Sequence, residues 1–253
     1  MAAYSKQLAE IYDAIVYGKD EAYAETEELI FLVNYFNSIN AKKILDLGCG
    51  VGKHLVPLAS LGYEITGVDI SKAVLDECAC RLKKRNLSAR LIAKSADAID
   101  FLNEFDAVIS MDSIFHYFRE NEQIINALRK ARGVLNNGGE IIIENRNLIA
   151  DIEYYREPKV EFVKTEKMEI EYVCQNKFDD ENSLFYVDIN AKIKKNGKNT
   201  CFAHSEILRY ISPDEMREFL KEAGFKNINF LPDFQQNKSD ENEIISFVFI
   251  AKK

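Results

Sequence analysis

The sequence lacks the features that define several large protein classes. No stretch approaches the about 18 apolar residues that a membrane-spanning helix needs, so no helical membrane segment is expected. The opening residues Met1-Ala2-Ala3-Tyr4-Ser5-Lys6 contain no apolar core of an export signal, and none is expected. The five cysteines (49, 78, 80, 174, 201) are odd in number and form no Cys-x-x-Cys, which reads as reduced thiols in a cytoplasmic protein. No His/Cys/Asp cluster has metal-ligand spacing, so no metal site is expected. Clustered basic charge is scarce too. The formal charge is −8, and the single run Arg81-Leu82-Lys83-Lys84-Arg85 falls at a predicted helix C-terminus, where it complements the helix dipole. A large nucleic-acid footprint needs clustered Lys and Arg, and is therefore not expected. There is no internal repeat.

What is present is a chain of 253 residues, 47% hydrophobic, enough for one generous domain or one domain with an insertion. It is organised around Lys43-Ile44-Leu45-Asp46-Leu47-Gly48-Cys49-Gly50-Val51-Gly52-Lys53-His54. An apolar run, three alternate glycines and a helical pattern spell strand, tight turn, helix, the nucleotide-binding corner of an open α/β sheet. A dinucleotide fingerprint would place its third glycine at position 53, where Lys53 stands. A P-loop would require Gly at 47 and Ser or Thr at 54, where Leu47 and His54 stand. Asp46, two residues before Gly48 at the strand end, would repel a pyrophosphate and favour a cationic ligand. The attraction is about 4 kcal/mol at 4 Å with an effective dielectric of 20. S-adenosylmethionine carries a sulfonium and an ammonium, and Asp-x-Gly-x-Gly-x-Gly resembles motif I of the class I methyltransferases.

In chain order, residues 3–16 and 22–39 read as helices, the second with Leu29, Leu32, Val33 and Phe36 on one stripe. The linker from Tyr12 to Tyr23 holds three tyrosines, which either pack a helix pair or form a lid over a ligand. A helix after the glycine corner ends at Gly62, and a strand from Tyr63 to Val68 ends at Asp69. That carboxylate stands where such sheets bind a ribose; a helix cap is the alternative, already supplied by Ser71 for a helix from Lys72 to Asn86. A third strand (Leu91 to Ala93) precedes the turn Asp97-Ala98, and a fourth (Phe105 to Met111) precedes Asp112 to Phe118. A helix from Gln123 to Leu135, the turn Asn136 to Gly139 and a fifth strand, Glu140 to Glu144, follow. From Asp151 the pattern alternates, clearest at Phe185, Val187, Ile189, Ala191 and Ile193, with a hairpin turn at Asn196-Gly197. Ser212-Pro213 opens a last helix ending at Gly224, and strands from Lys226 to Leu231 and Ile244 to Ala251 finish the chain.

These motifs fall in the order of the class I S-adenosylmethionine-dependent methyltransferases, which the chain resembles over nearly its whole length. It is most similar to the N,N-dimethyltransferases of nucleotide-linked amino sugars. The likeness rests on Tyr12-Asp13, Gly18-Lys19-Asp20 with Tyr23 and Glu28-Leu29, His54-Leu55, and the turn from Ala96 to Phe101. The resemblance implies a Rossmann-like α/β fold, with a seven-stranded sheet whose last strand is antiparallel and an antiparallel β insertion. It divides the chain into a helical cap (1–40), a cofactor-binding core (41–150 and 212–253) and an insertion over the cleft (151–211). It implies S-adenosylmethionine as cofactor, held by Tyr12, Tyr23, Asp46, Gly48, Gly50, His54, Asp69, Ile70, Asp97, Ala98 and Met111, and catalytic roles for His116, Tyr117 and Tyr12. A homodimer is compatible with it. Two departures stand out. The family's Pro-Trp-Trp is replaced by Asn145-Arg146-Asn147 in a chain without tryptophan, and its catalytic-region His falls at Tyr117, with His116 adjacent.

The expected reaction is methyl transfer to a small polar molecule, most simply at an amine nitrogen, which must first lose a proton. His116 has the ordinary basicity for that task, about pKa 6.5; a buried core histidine is the alternative. The rival readings are a hydroxyl or carboxylate acceptor, an RNA acceptor, a cofactor-binding module without turnover, and a nicotinamide oxidoreductase. The amino-base motif Asn-Pro-Pro-Tyr is absent after strand four, where Asp112-Ser113-Ile114-Phe115 stands.

Overall fold

The central strand is β1 (Lys43–Leu47), apolar on both faces and buried from its second residue on, as a parallel strand with helices on either side must be. A computed structural model describes residues 4–18, 26–149, 157–166, 168–234 and 244–253. Around β1 lie β2 (Glu64–Asp69), β3 (Arg90–Ala93), β4 (Phe105–Ser110), β5 (Leu135–Arg146), β10 (Lys226–Pro232) and β11 (Ser246–Lys252). They form one seven-stranded sheet in the order β10-β11-β5-β4-β1-β2-β3. β1 to β5 pair in parallel, and β11 runs antiparallel to both its neighbours. This is the sheet the resemblance implies.

Helices cover both faces. On one, α2 (Glu27–Ser38), α3 (Leu55–Ser60) and α4 (Lys72–Lys84) bury Leu29, Leu32, Phe36, Leu55, Leu58 and Leu75 against Ile44, Ile65, Ile109 and Ile142. On the other, α5 (Asn121–Val134) and α6 (Pro213–Glu222) bury Leu128, Phe219 and Leu220 against Leu45, Val108 and Ile141. The helix starts follow from capping. Thr26, Ser71 and Ser212 each accept a backbone N–H of their own first turn, and Ser212 forms a reciprocal box with Glu215. Each such cap is worth about 1 kcal/mol.

The stretch Asn136 to Gly139, expected as a turn before a strand, lies inside β5. Between Phe105↔Leu135 and Ala107↔Glu140 the register shifts, so the Asn-Asn-Gly-Gly residues are an irregularity in the ladder. Asn136 Nδ2 donates to Asp106 Oδ1 at 2.9 Å across it.

A second sheet, β6 (Lys159–Lys164), β7 (Met168–Asp179), β8 (Leu184–Lys195) and β9 (Lys198–Arg209), is an antiparallel meander. Its last hairpin turns on Asn196 and Gly197, with φ of 51° and 74° between paired Lys195 and Lys198, so both central residues have the positive φ of a two-residue I′ turn. Ile11 and Ala14 of α1 (Lys6–Gly18) pack on Val163, Ile170, Ala191 and Ile193 of this sheet, while Ala9 meets Val51 and Val74 of the first layer. Through α1 the second sheet is anchored beside the glycine corner. Among the described residues no helix is long and apolar enough to cross a membrane.

Candidate active site

A cleft of about 110 Å³ opens at the carboxyl ends of β1, β2 and β4, where open α/β sheets bind ligands. Its floor is the glycine corner. The N–H groups of Gly48 and Cys49 both donate to the Val68 carbonyl, at 2.7 and 3.1 Å, tying the end of β1 to the end of β2. Gly48 has φ of 75°, and a Cβ there would come within 2.2 Å of Ile114 Cγ2. Only glycine fits that position. Asp69 closes the corner, Oδ2 accepting from Gly50 N at 3.1 Å and Oδ1 from Ser71 N at 2.8 Å. Burial raises its carboxyl, against the pull of those two N–H groups. Each oxygen keeps a lone pair for a ligand hydroxyl.

One wall is the end of β4. Asp112 and Ser113 are consecutive left-handed residues, with φ of 56° and 66°. Such residues cost of order 1–3 kcal/mol each and persist only where their surroundings enforce them. Glu144 Oε2 accepts from Asp112 N at 2.8 Å, its backbone carbonyl accepts from Ser113 N at 3.2 Å, and Arg146 N donates to Ser113 Oγ at 2.6 Å. Lys53 Nζ lies 2.8 Å from Asp112 Oδ1 and 3.1 Å from Glu28. Burial alone would raise the Asp112 carboxyl, but Lys53 and then His54 hold it below the usual range. Burial first, and the Asp112 charge second, push Glu144 up to about 8.

The roof comes from distant parts of the chain. Tyr4 and Tyr117 both donate to Glu206 of β9, each at 2.7 Å and to a different oxygen, and their hydroxyls are 3.2 Å apart. The Tyr12 ring meets the Tyr4 ring edge-on at 5.8 Å. Burial raises the hydroxyls of Tyr4, Tyr12 and Tyr117 well above the ordinary phenol range, so all three are donors at neutral pH rather than phenolates.

Of the residues singled out from sequence, Tyr12, Gly48, Gly50, Asp69, Ile70 and Tyr117 line this cleft. Four others lie buried behind its walls. Met111 belongs to the α2–α4 core. His54 is 4% exposed, with Nε2 2.9 Å from Glu28. Asp46 has an oxygen, Oδ2, with no partner, and burial pushes its carboxyl up to about 7. His116 is fully buried; Nδ1 donates to the Arg209 carbonyl at 2.6 Å, Nε2 has no partner, and burial lowers the ring to about 4. Asp97 and Ala98 belong to a 3-10 turn (Ala96–Ala98) of which Ala96, with the preceding Lys94 and Ser95, lines the cleft. Tyr23 lies outside the described residues.

Sequence reasoning missed Tyr4, Asp112 and Glu206. Asp112 was within reach, as the residue just past the fourth strand. Glu206 falls in the alternating set Phe202, His204, Glu206 and Leu208 of a strand, where nothing in the pattern marks it as part of a site; Tyr4 gives no local signal at all.

Residues 44–139 match the family model of a methyltransferase domain. That match covers the glycine corner, Asp69 and the Asp112 wall. The protein is an S-adenosylmethionine-dependent methyltransferase with the class I fold. It is similar to a glycine/sarcosine N-methyltransferase of Aphanothece halophytica, 23% identical over 266 residues that cover 99% of this chain and 89% of that one. Among solved structures it shares its fold with DesVI of Streptomyces venezuelae (TM-score 0.79, 18% identity, 98% and 99% of the two chains). The sugar N-methyltransferase KedS8 of a Streptoalloteichus species has the same fold (TM-score 0.78, 18% identity, 100% and 96%).

Proposed function

We propose that this enzyme methylates an amine nitrogen on a small polar molecule. The observation that carries the reading is Glu206, a carboxylate just behind the cleft wall that accepts hydrogen bonds from the cleft-lining Tyr4 and Tyr117 hydroxyls. An anion there favours a protonated amine in the cleft and accepts, through the Tyr117 hydroxyl, the proton the amine must lose. The printed names of two relatives, a glycine/sarcosine N-methyltransferase and a sugar N-methyltransferase, support the same acceptor class.

The groups present fit the cofactor. Asp69 has acceptor capacity for two ribose hydroxyls, Ser95 and Ala96 would flank an adenine, and Asp112 would offer a carboxylate to an ammonium. Asp46 behind the corner, raised to about 7, carries only partial negative charge at neutral pH, and its orphaned oxygen keeps hydrogen-bonding capacity. When bound, S-adenosylmethionine supplies an electrophilic methyl group on sulfur. The chain's own task is alignment, worth up to about 7–11 kcal/mol in well-oriented systems, and removal of a proton. Tyr117, which lines the cleft, hands that proton on to Glu206, and Tyr12 with Tyr4 walls the nitrogen from water. His116, sealed behind the wall with Nδ1 committed to a carbonyl, serves packing. Lys94 is the one lysine or arginine lining the cleft among the described residues, and it pairs with Asp100 at 2.7 Å. The reading therefore extends to an amine on a small polar molecule and not to a diphosphate handle or an RNA.

Release of S-adenosylhomocysteine with amino sugars, glycine and sarcosine as acceptors tests this directly. Turnover is expected with at least one of these amines, rising with pH as the ammonium loses its proton. Methylation of hydroxyl or carboxylate compounds with all amines inert would leave the methyltransferase and remove the amine.

A further inference from the structure

One titratable side chain on the roof has no part in the scheme above. His204 stands two residues before Glu206 on β9, hence on the same face of the strand. Its Nε2 lies 2.8 Å from Oε1 of Glu206, the oxygen that also accepts from Tyr4. The imidazole is fixed on two sides, stacked on Phe202 at 6.2 Å with an interplanar angle of 21° and meeting the Tyr4 ring edge-on at 5.9 Å. Side-chain exposure is 16% at Glu206 and 23% at His204, so each of the pair reaches solvent in part. Tyr117, Glu206 and His204 thus form a continuous line, every step at hydrogen-bond distance, running from the cleft wall to solvent. The other histidine of this region, His116, is fully buried and offers no such exit.

We infer that His204 is the proton outlet of the active site, receiving through Glu206 the proton that leaves the acceptor and passing it to water. This rests on the reading that the acceptor is a protonated nitrogen. The nitrogen gives its proton to the Tyr117 hydroxyl oxygen as that hydroxyl gives its own to the Glu206 carboxylate, and the freed lone pair forms the new N–C bond while the C–S pair departs on sulfur. Glu206 passes the proton to Nε2 of His204, which in the Nδ1–H tautomer carries a lone pair there. The resulting imidazolium releases its Nδ1 proton to solvent, and exchange with water then takes the Nε2 proton and returns one to Nδ1, so that Glu206 is an anion and His204 an Nδ1–H tautomer again for the next turnover. Without an outlet, the proton would remain on a carboxyl enclosed by two tyrosines. His204 acts through Glu206 and is a positioning and relay residue, not one that touches the reacting atoms.

The test compares wild type, His204→Gln and Glu206→Gln, following S-adenosylhomocysteine release with the amino sugars, glycine and sarcosine, with and without added imidazole. Glutamine can still hydrogen-bond Glu206 through its side-chain amide but cannot take up and release a proton, so a role limited to orientation would survive the change. The expected result for His204→Gln is a loss of roughly 10²-fold in kcat, the low end of proton-transfer assistance, with KM for the amine and cofactor affinity unchanged. Imidazole should restore His204→Gln and leave Glu206→Gln impaired. Full kcat in His204→Gln overturns the outlet, and so does a loss that imidazole leaves untouched. If wild type methylates a hydroxyl compound and no amine, the nitrogen reading falls, and the same rescue measured on that compound decides the outlet. Wild-type inactivity on both sets overturns both.

Discussion

The floor and the roof of the cleft are built from the chain in opposite ways. The floor from Leu47 to Ser71 is one corner and the strand and helix start beside it, closed by backbone N–H groups on Val68 and Asp69. The roof joins Tyr4, Tyr117 and Glu206, whose hydrogen bonds span 113, 202 and 89 residues of sequence. A floor made of main chain binds whatever cofactor the fold binds. In the proposed scheme the roof, made of side chains from distant parts of the chain, sets which acceptor is used. The two regions should therefore respond differently to substitution.

The largest effect is expected at the floor. Gly48→Val adds a left-handed penalty to a clash with Ile114 and should cost about 2–6 kcal/mol, read by urea unfolding and by loss of cofactor binding. Near-normal stability and affinity would show that the corner yields more easily than its geometry implies. Asp69→Ala should weaken cofactor binding by about 1.5–3 kcal/mol, the range for hydrogen bonds to a charged group, when titrated by calorimetry. Unchanged affinity with an intact fold would reduce Asp69 to its two backbone contacts.

This contrast also explains what the sequence made legible. The parallel strands, the glycine corner, Asp69 and the Asn196-Gly197 hairpin are local patterns, each fixed by residues within a few positions of one another. They could be read because burial period and turn chemistry are local. Tyr12 and Tyr117, carried by the resemblance, do line the cleft, whereas Asp46, His54, Met111 and His116 lie behind it. Sequence places a residue at a strand end but not which way its side chain turns. At β4 the direction is set by two left-handed residues, Asp112 and Ser113, and by Glu144 and Arg146 from the neighbouring strand. That is a tertiary constraint with no local mark. Glu206 depends on how β9 of the second sheet docks over the first, which no pattern within 151–211 encodes.

A smaller effect separates His116 from the roof. Its folded value of about 4 lies below the ordinary 6.5, so the folded protein binds fewer protons than the unfolded one between these values. The stability from neutral His116 is therefore complete above about pH 6.5 and is lost as pH falls toward 4, at about 1.4 kcal/mol per unit. Asp46 and Glu144, raised to about 7 and 8, act in the opposite sense, protonated forms favouring the fold at acid pH. The comparison with His116→Leu isolates the histidine. Between pH 6.5 and 5 wild type should lose about 2 kcal/mol relative to that variant in urea unfolding. Parallel pH dependences would mean that His116 is not held neutral, and would reopen it as a base.

The division between floor and roof is tested most directly by two variants measured two ways. Affinity for S-adenosylhomocysteine by calorimetry and kcat on a methylated amine are determined for Asp69→Ala and for Glu206→Gln. The account predicts that Asp69→Ala weakens binding, with its rate recovering at saturating cofactor. Glu206→Gln should bind normally and lose roughly 10²–10⁴ in kcat, the usual yield of general-base help. Full kcat in Glu206→Gln, or a cofactor affinity that falls along with it, would contradict the account.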